Sequence, residues 1–119
     1  MNGMKIFKQV EKSASINDLN VEIIHHEPPL YLPKDSELIS LLSEAYEEII
    51  GEKPKLYSTG GGTYARKLNG KGVAFGPAFR SDTVNMHNAD EGVDEEKFFK
   101  HAQICLQAMY KMYTGKFGR

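Results

Sequence analysis

The sequence predicts a small α/β domain: a sheet of about three strands, parallel or mixed, covered by helices. Two observations support that class. Apolar residues recur at helical spacing in the segments that follow Ser36 and Asp94, as they do along one face of an amphipathic helix. Three short runs rich in apolar or β-branched residues alternate with them, each followed closely by proline or glycine, which is how short strands are punctuated.

Residues 4–12 place Ile6, Phe7 and Val10 at helical spacing, and the polar stretch Ser13 to Asp18 follows. Val21 to His26 reads as a strand, ended by Pro28 and Pro29, which remove two backbone donors. Asp35 or Ser36 can cap the next helix, in which Leu38, Leu41, Leu42, Ala45 and Ile49 share a face and Gly51 is placed to terminate. Pro54 follows, and Lys55 to Ser58 reads as a second short strand that leads into three consecutive glycines, Gly60 to Gly62. Thr63 to Leu68 suits a short helix, Asn69-Gly70 a turn, and Gly72 to Gly76 a buried strand ended by Pro77. Residues 78–93 are rich in Ser, Asp and Asn and lack apolar periodicity, so an irregular loop is expected, of a length usually kept for function. The closing helix is expected from Asp94 onward. Phe98, Ala102, Cys105, Met109 and Met112 form its expected core stripe, widened by Phe99, Leu106 and Tyr113. Glu95 and Glu96 near its start and Lys111 near its end complement the helix dipole.

A chain of 119 residues suffices for one domain with a modest core. Its 15 Lys and Arg nearly balance 16 Asp and Glu, and the basic residues are scattered. Neither nucleic acid nor a membrane surface is therefore expected as a partner. The single cysteine, Cys105, excludes an intramolecular disulfide and a cysteine-rich zinc module; this suits a reducing compartment and makes the cytoplasm the expected location. No apolar run approaches the ~18 residues that read as a membrane span, and no signal-peptide pattern is expected at the N-terminus.

A glycine-rich turn between a strand and a helix presents unpaired amides, a receptor for a carboxylate or phosphate. Arg66 can add a bidentate clamp. The run lacks the Gly-Lys-Ser/Thr of a phosphate-binding loop and the spaced glycines of a dinucleotide fingerprint, which disfavours nucleotides. On composition alone, a sharp turn without a ligand explains the glycines equally well, and a surface arginine is commoner than a clamp. His87 offers an imidazole to a metal, with Asp90 or Glu91 able to orient the ring or a bound water, although a solvated loop histidine is the commoner case. A mononuclear catalytic zinc generally takes three protein ligands, and none of His25, His26 and His101 stands at metal-pair spacing from His87. Cys105, in its helical stripe, reads as a small core residue rather than a nucleophile.

Gly60 to Arg66, Gly72 to Pro77, Phe79, His87, Glu91 and the closing helix together resemble the carboxyl-terminal portion of bacterial dizinc dipeptidases. These are enzymes of the Xaa-His dipeptidase type, in the aminoacylase and carnosinase superfamily of metallopeptidases. The resemblance extends through Pro28 to Ser36 and Tyr46 to Gly51, covering about residues 20 to 113, and the Gly-Gly-Gly-Thr-Tyr-Ala-Arg string is its most specific part. It implies that residues 1–27 are a remnant of the end of a lid domain and residues 28–119 the carboxyl-terminal part of a catalytic α/β domain. It also implies that Gly61, Gly62, Thr63 and Arg66 hold the terminal carboxylate of a dipeptide or similar small ligand, and that His87 is the late zinc ligand. In such enzymes two zinc ions activate a water for attack on the peptide carbonyl.

The other metal ligands and the general base of such enzymes precede the matching region and are absent from these residues. No catalytic residue is therefore assigned, and the resemblance implies a dipeptidase segment, inactive alone and completed by a missing amino-terminal half. Arg80 stands where the family usually has proline, and Ser81 to Asn85 has no clear counterpart. Two other readings stay open: a non-catalytic module that binds small peptides or amino acids, and a degenerate remnant. A sheet cut from a larger domain leaves an open edge and an apolar face, so a homo-oligomer is expected.

Overall fold

The computed structural model describes residues 3–76, 79 and 85–115. They form α1 (Gly3–Ser15), α2 (Glu37–Ile50), a 3-10 helix (Tyr64–Leu68) and α3 (Glu95–Thr114). No β-strand occurs among the described residues, and the expected three-stranded sheet is overturned. Residues 21–26, 55–58 and 72–76 are irregular in backbone and join no ladder. The physical reason is that apolar and β-branched composition reports fitness for a pleated surface, while the strand itself exists only through pairing with a neighbour. Ile24 and Tyr57 show the consequence, being 94% and 83% exposed where a sheet would have covered them. Pro77, expected to end the third strand, lies outside the described residues.

The chain divides into two compact units, Met1–Leu30 and Tyr31–Arg119. In the first, α1 extends beyond the predicted residues 4–12 at both ends. Its carboxyl end is closed by side chains that reach back to the last turn: Ser15 Oγ donates to the Lys12 carbonyl at 2.9 Å, and Asn17 Nδ2 to the Ser13 carbonyl at 3.1 Å. The His26 ring lies against Gly3, where a Cβ would come within 2.5 Å of its Nε2. Segment 21–26 thus folds back on the helix start. His25 pairs with Glu27 at 3.6 Å.

The second unit is organised by the pairing of α2 with α3, the helices that make extensive mutual contact among the described residues. Gly51 ends α2 as predicted, in the left-handed region at φ 82°, with its amide donating to the Glu47 carbonyl at 2.8 Å. Ser36 occupies the N-cap with extended backbone, but its side chain makes no cap hydrogen bond. Asp94 does cap α3, its carboxylate accepting from the Lys97 amide at 3.0 Å. The core is Ile39 and Ala45 from α2 with Ile104 and Ala108 from α3. Two alanines in that set keep the helix surfaces low, which favours close approach of the axes.

The expected core stripe of α3 is displaced. Burial centres on Ile104 and Ala108, with His101, Cys105, Lys111 and Met112 half-buried beside them, whereas Phe98, Phe99, Ala102, Leu106, Met109 and Tyr113 are exposed. At 100° per residue, apolar side chains cover about two-thirds of this helix's circumference, so periodicity alone does not choose the sector that meets α2. The chosen sector also brings Lys111 to Glu44 at 3.2 Å and Glu48 at 2.6 Å, with Gln107 donating to Glu48 as well. Hydrogen bonds from Lys111 and Gln107 hold the Glu48 carboxyl below the usual glutamate range, and those to Glu48 and Glu44 raise the Lys111 ammonium above the usual lysine value. Burial pushes the Cys105 thiol up, in keeping with a packing role. No helix among the described residues is long and apolar enough to cross a membrane.

Candidate functional site

The glycine run leaves the carboxyl end of segment 55–58 and enters the 3-10 helix through Thr63. Thr63 has extended backbone, and its Oγ1 accepts from the Ala65 amide at 3.1 Å, so its hydroxyl is the helix cap. Thr59 does the same one step earlier, its Oγ1 accepting from the Gly61 amide at 3.2 Å. The Gly62 and Thr63 amides donate to no other described residue. Gly61 is therefore not the open donor that its position in the run suggests; Gly62 and Thr63 are.

The three glycines have no steric need for one another's absence of side chains. None lies in the left-handed region, Gly60 has nothing within 4 Å of a built Cβ, and the nearest atoms to a Cβ on Gly61 and Gly62 are at ordinary contact distance. At Gly62 that atom is the Arg66 Nη1, 3.5 Å away. The guanidinium thus folds back over the end of the run, and the structure brings Gly62, Thr63 and Arg66 together. Two amides unpaired among the described residues, beside a guanidinium, suit a small carboxylate.

Beyond the run the chain is pinned to both helices. The Asn69-Gly70 turn forms as predicted, with φ of 51° and 77°. It returns the chain so that Gly72 is buried under Leu68, whose side chain a Cβ on Gly72 would overlap. The Phe75 ring lies 6.1 Å from that of His101 on α3, and the Phe75 carbonyl sits 3.4 Å from His101 Nε2. Phe79 packs its ring 6.3 Å from Tyr46 on α2. These anchors were missed by sequence reasoning, which took Gly72 to Gly76 for a strand; the available signal was the two phenylalanines spaced around Pro77, and it did not name their partners.

His87 stands apart from this cluster. It is exposed, lies in the left-handed region at φ 66°, and follows Asn85 and precedes Asp90 in the same conformation. Asn88 closes that turn, its amide donating to the Asn85 carbonyl at 2.9 Å. For a residue with a Cβ this backbone costs about 1–2 kcal/mol, and such cost tends to persist where surroundings or function require it. No hydrogen bond or ion pair among the described residues ties His87 to Asp90, Glu91 or the glycine run. Arg80 and residues 81–84, where the resemblance weakens, lie outside the described residues.

A metal was the expected cofactor, and the donor set decides whether these residues fit one. Among the described residues, no three His, Cys, Asp or Glu side chains converge to hold an ion. One imidazole on a loop is an incomplete shell, since a catalytic zinc generally takes three protein ligands. The residues present therefore do not fit a resident metal by themselves. A shallow groove of about 360 Å³ between the first turn of α2 and the end of α3, lined by Glu37, Leu41, Glu44 and Lys111 among others, includes none of the candidate residues.

The sequence pattern of peptidase family M20/M25/M40 matches residues 3–111. The chain belongs to this family. M20 peptidases are typically metal-dependent. A Staphylococcus epidermidis protein named "Putative dipeptidase" is 34% identical over 113 residues, covering 92% of this chain and 24% of that protein. The Bacillus subtilis "Putative dipeptidase YtjP" is 33% identical over 108 residues, 91% of this chain and 23% of its own. A Staphylococcus saprophyticus relative, "Putative dipeptidase SSP1012", is 36% identical over 93 residues, 78% of this chain and 20% of its own. This M20 chain thus spans between a fifth and a quarter of the length of the curated relatives it matches. No solved structure matches it.

Proposed function

We propose that this chain acts as a segment of a zinc-dependent dipeptidase, supplying the loop that holds the substrate's terminal carboxylate and one imidazole of the metal shell, and that it is inactive alone. Gly62 and Thr63 offer amides to the carboxylate, Arg66 adds charge, and Gly61 keeps the approach open. His87 reaches a metal only where the remaining polypeptide supplies the other ligands and the general base. The peptide-cleaving step belongs to that completed site, and this chain binds and orients.

The observation that carries the reading is the glycine run itself. In an M20 chain, three glycines with no steric need inside the molecule and an arginine folded over the last of them are what close approach by an outside ligand requires.

The test is a chimera in which residues 3–111 replace the aligned segment of the Bacillus subtilis relative. Xaa-His hydrolysis and zinc content are measured beside the free chain. The chimera should hydrolyse dipeptides, His87→Ala should lower its turnover by at least about 100-fold with loss of zinc, and the free chain should show neither turnover nor zinc. Stoichiometric zinc and turnover in the free chain, or a His87→Ala chimera as active as its parent, would overturn the proposal.

A further inference from the structure

α3 is apolar on two sides, and α2 covers one of them. The inner sector carries Ile104 and Ala108, 1% and 3% exposed. The outer sector carries Phe98, Phe99, Leu106, Met109, Tyr110 and Tyr113, between 50% and 88% exposed. At 100° per residue these six spread over an arc of about 120°, as wide as the whole apolar stripe of an ordinary surface helix. Side chains of this size, so exposed, present roughly 100 Å² each. Together they equal or exceed the largest apolar patch of a typical monomer, about 300–600 Å². A helix with one such face against α2 and a second turned outward has the pattern of an element that lies between two layers.

We propose that the outer face of α3 is the docking surface for the remaining polypeptide of a full-length M20 dipeptidase. This rests on the reading of the chain as a dipeptidase segment. The family pattern runs through α3 as far as Lys111, and relatives 33% and 34% identical over nine-tenths of this chain devote only 23% and 24% of their length to it. About three-quarters of such a polypeptide is available to cover the face. A second copy of this chain fits less well. Antiparallel pairing of two α3 faces would set Asp94, Glu95 and Glu96 against the far end of the partner helix, and Lys111, the basic residue of α3 there, is already engaged by Glu44 and Glu48. Parallel pairing would place the acidic ends together. The exposed arc carries one charge, that of Glu95 at its amino-terminal end, and no basic residue to complement it in either arrangement.

Docking there also connects the face to the site. The His101 side chain on α3 lies against the Phe75 carbonyl and ring, so a layer that fixes α3 also fixes the chain at Phe75, beyond the glycine run.

Methionine oxidation read by mass spectrometry tests the proposal. In the free chain at low concentration, Met109 and Met86, both 59% exposed, should oxidise at similar rates. In the monomeric chimera, Met109 should be protected by at least about tenfold relative to the free chain. A Met109 as reactive in an active chimera as in the free chain would overturn the docking surface while leaving the proposed function standing. Protection that vanishes on dilution of a dimeric chimera would assign the face to a second copy and overturn it equally. A folded chimera with protected Met109 but no dependence on His87 would sink the functional roles and leave the docking surface. If the chimera fails to fold, a methionine placed at the position aligned with Met109 in the intact Bacillus subtilis relative is read instead: it should be protected until urea unfolds the protein, and reactivity in the native protein would refute the proposal.

Discussion

The α2–α3 pair and the segment from Gly51 to Val93 follow opposite rules. The pair holds every fully buried hydrophobic residue among those described, Ile39, Ala45, Ile104 and Ala108, and its charged rim closes on itself through Lys111, Glu44 and Glu48. The described residues of the segment between the helices are mostly exposed, leave the Gly62 and Thr63 amides open, and include three non-glycine residues from Asn85 to Asp90 at positive φ. The facing sides of α2 and α3 are satisfied by each other's contacts. The segment between them has unpaired donors and strained backbone, the features on which the proposed ligand-binding role rests.

Substitutions should separate the two regions by size of effect. The largest loss of stability is expected from Ile104→Ala, about 2–4 kcal/mol from lost burial and the cavity left behind. In so small a core that should abolish a cooperative urea transition followed by circular dichroism; an unchanged midpoint would mean that the helix pair is not the stabilising element. Gly72→Val comes next, at about 1–3 kcal/mol, because its side chain must displace Leu68 beneath the turn. A neutral result there would show that the strap through Phe75 and Phe79 is not held by packing.

A smaller effect follows pH. The folded pKa of Glu48 is depressed, so the stability its partners confer is present above the ordinary value of 4.5 and is lost as pH falls through the depressed one. The folded pKa of Lys111 is raised, so its share is present below the ordinary value of 10.5 and is lost as pH rises through the raised one. Glu48 is exposed and Lys111 only half-buried, which keeps the effect small. Thermal midpoints of Lys111→Met and the parent chain should converge at the acid end, and a constant difference across pH would remove the clamp from the account.

Gly62→Ala should change stability least of all, by less than about 0.5 kcal/mol. Its backbone is not left-handed, and its new methyl would meet Arg66 at ordinary contact distance. In the chimera the same change should raise KM for dipeptides by about tenfold through crowding of the carboxylate. A Gly62→Ala variant that loses stability instead would make the glycine run part of the scaffold and erase the contrast between the two regions.

Legibility followed the range of the interaction. Gly51 at its cap, the Asn69-Gly70 turn and both long helices were readable because each depends on residues a few positions apart, whereas the capping role of Asp94 was not assigned. The glycine run and Arg66 were readable as a unit, although Thr59 takes the Gly61 amide, a local hydroxyl contact that composition did not reveal. The strands were not readable correctly, because Val21 to His26 and Gly72 to Gly76 carry strand-like composition without a neighbour to pair with among the described residues. His87 was readable as a lone imidazole on a loop, and its left-handed backbone was not.

By itself, the sequence determined family, helices, caps and turns, since these depend on local backbone preferences and on residue strings that persist within the M20 family. Tertiary structure alone decided which side of α3 meets α2, which amides of the glycine run stay open, and that Phe75 and Phe79 tie the loop to the two helices. An apolar arc wider than one interface is compatible with several partners, and only packing in three dimensions selects among them.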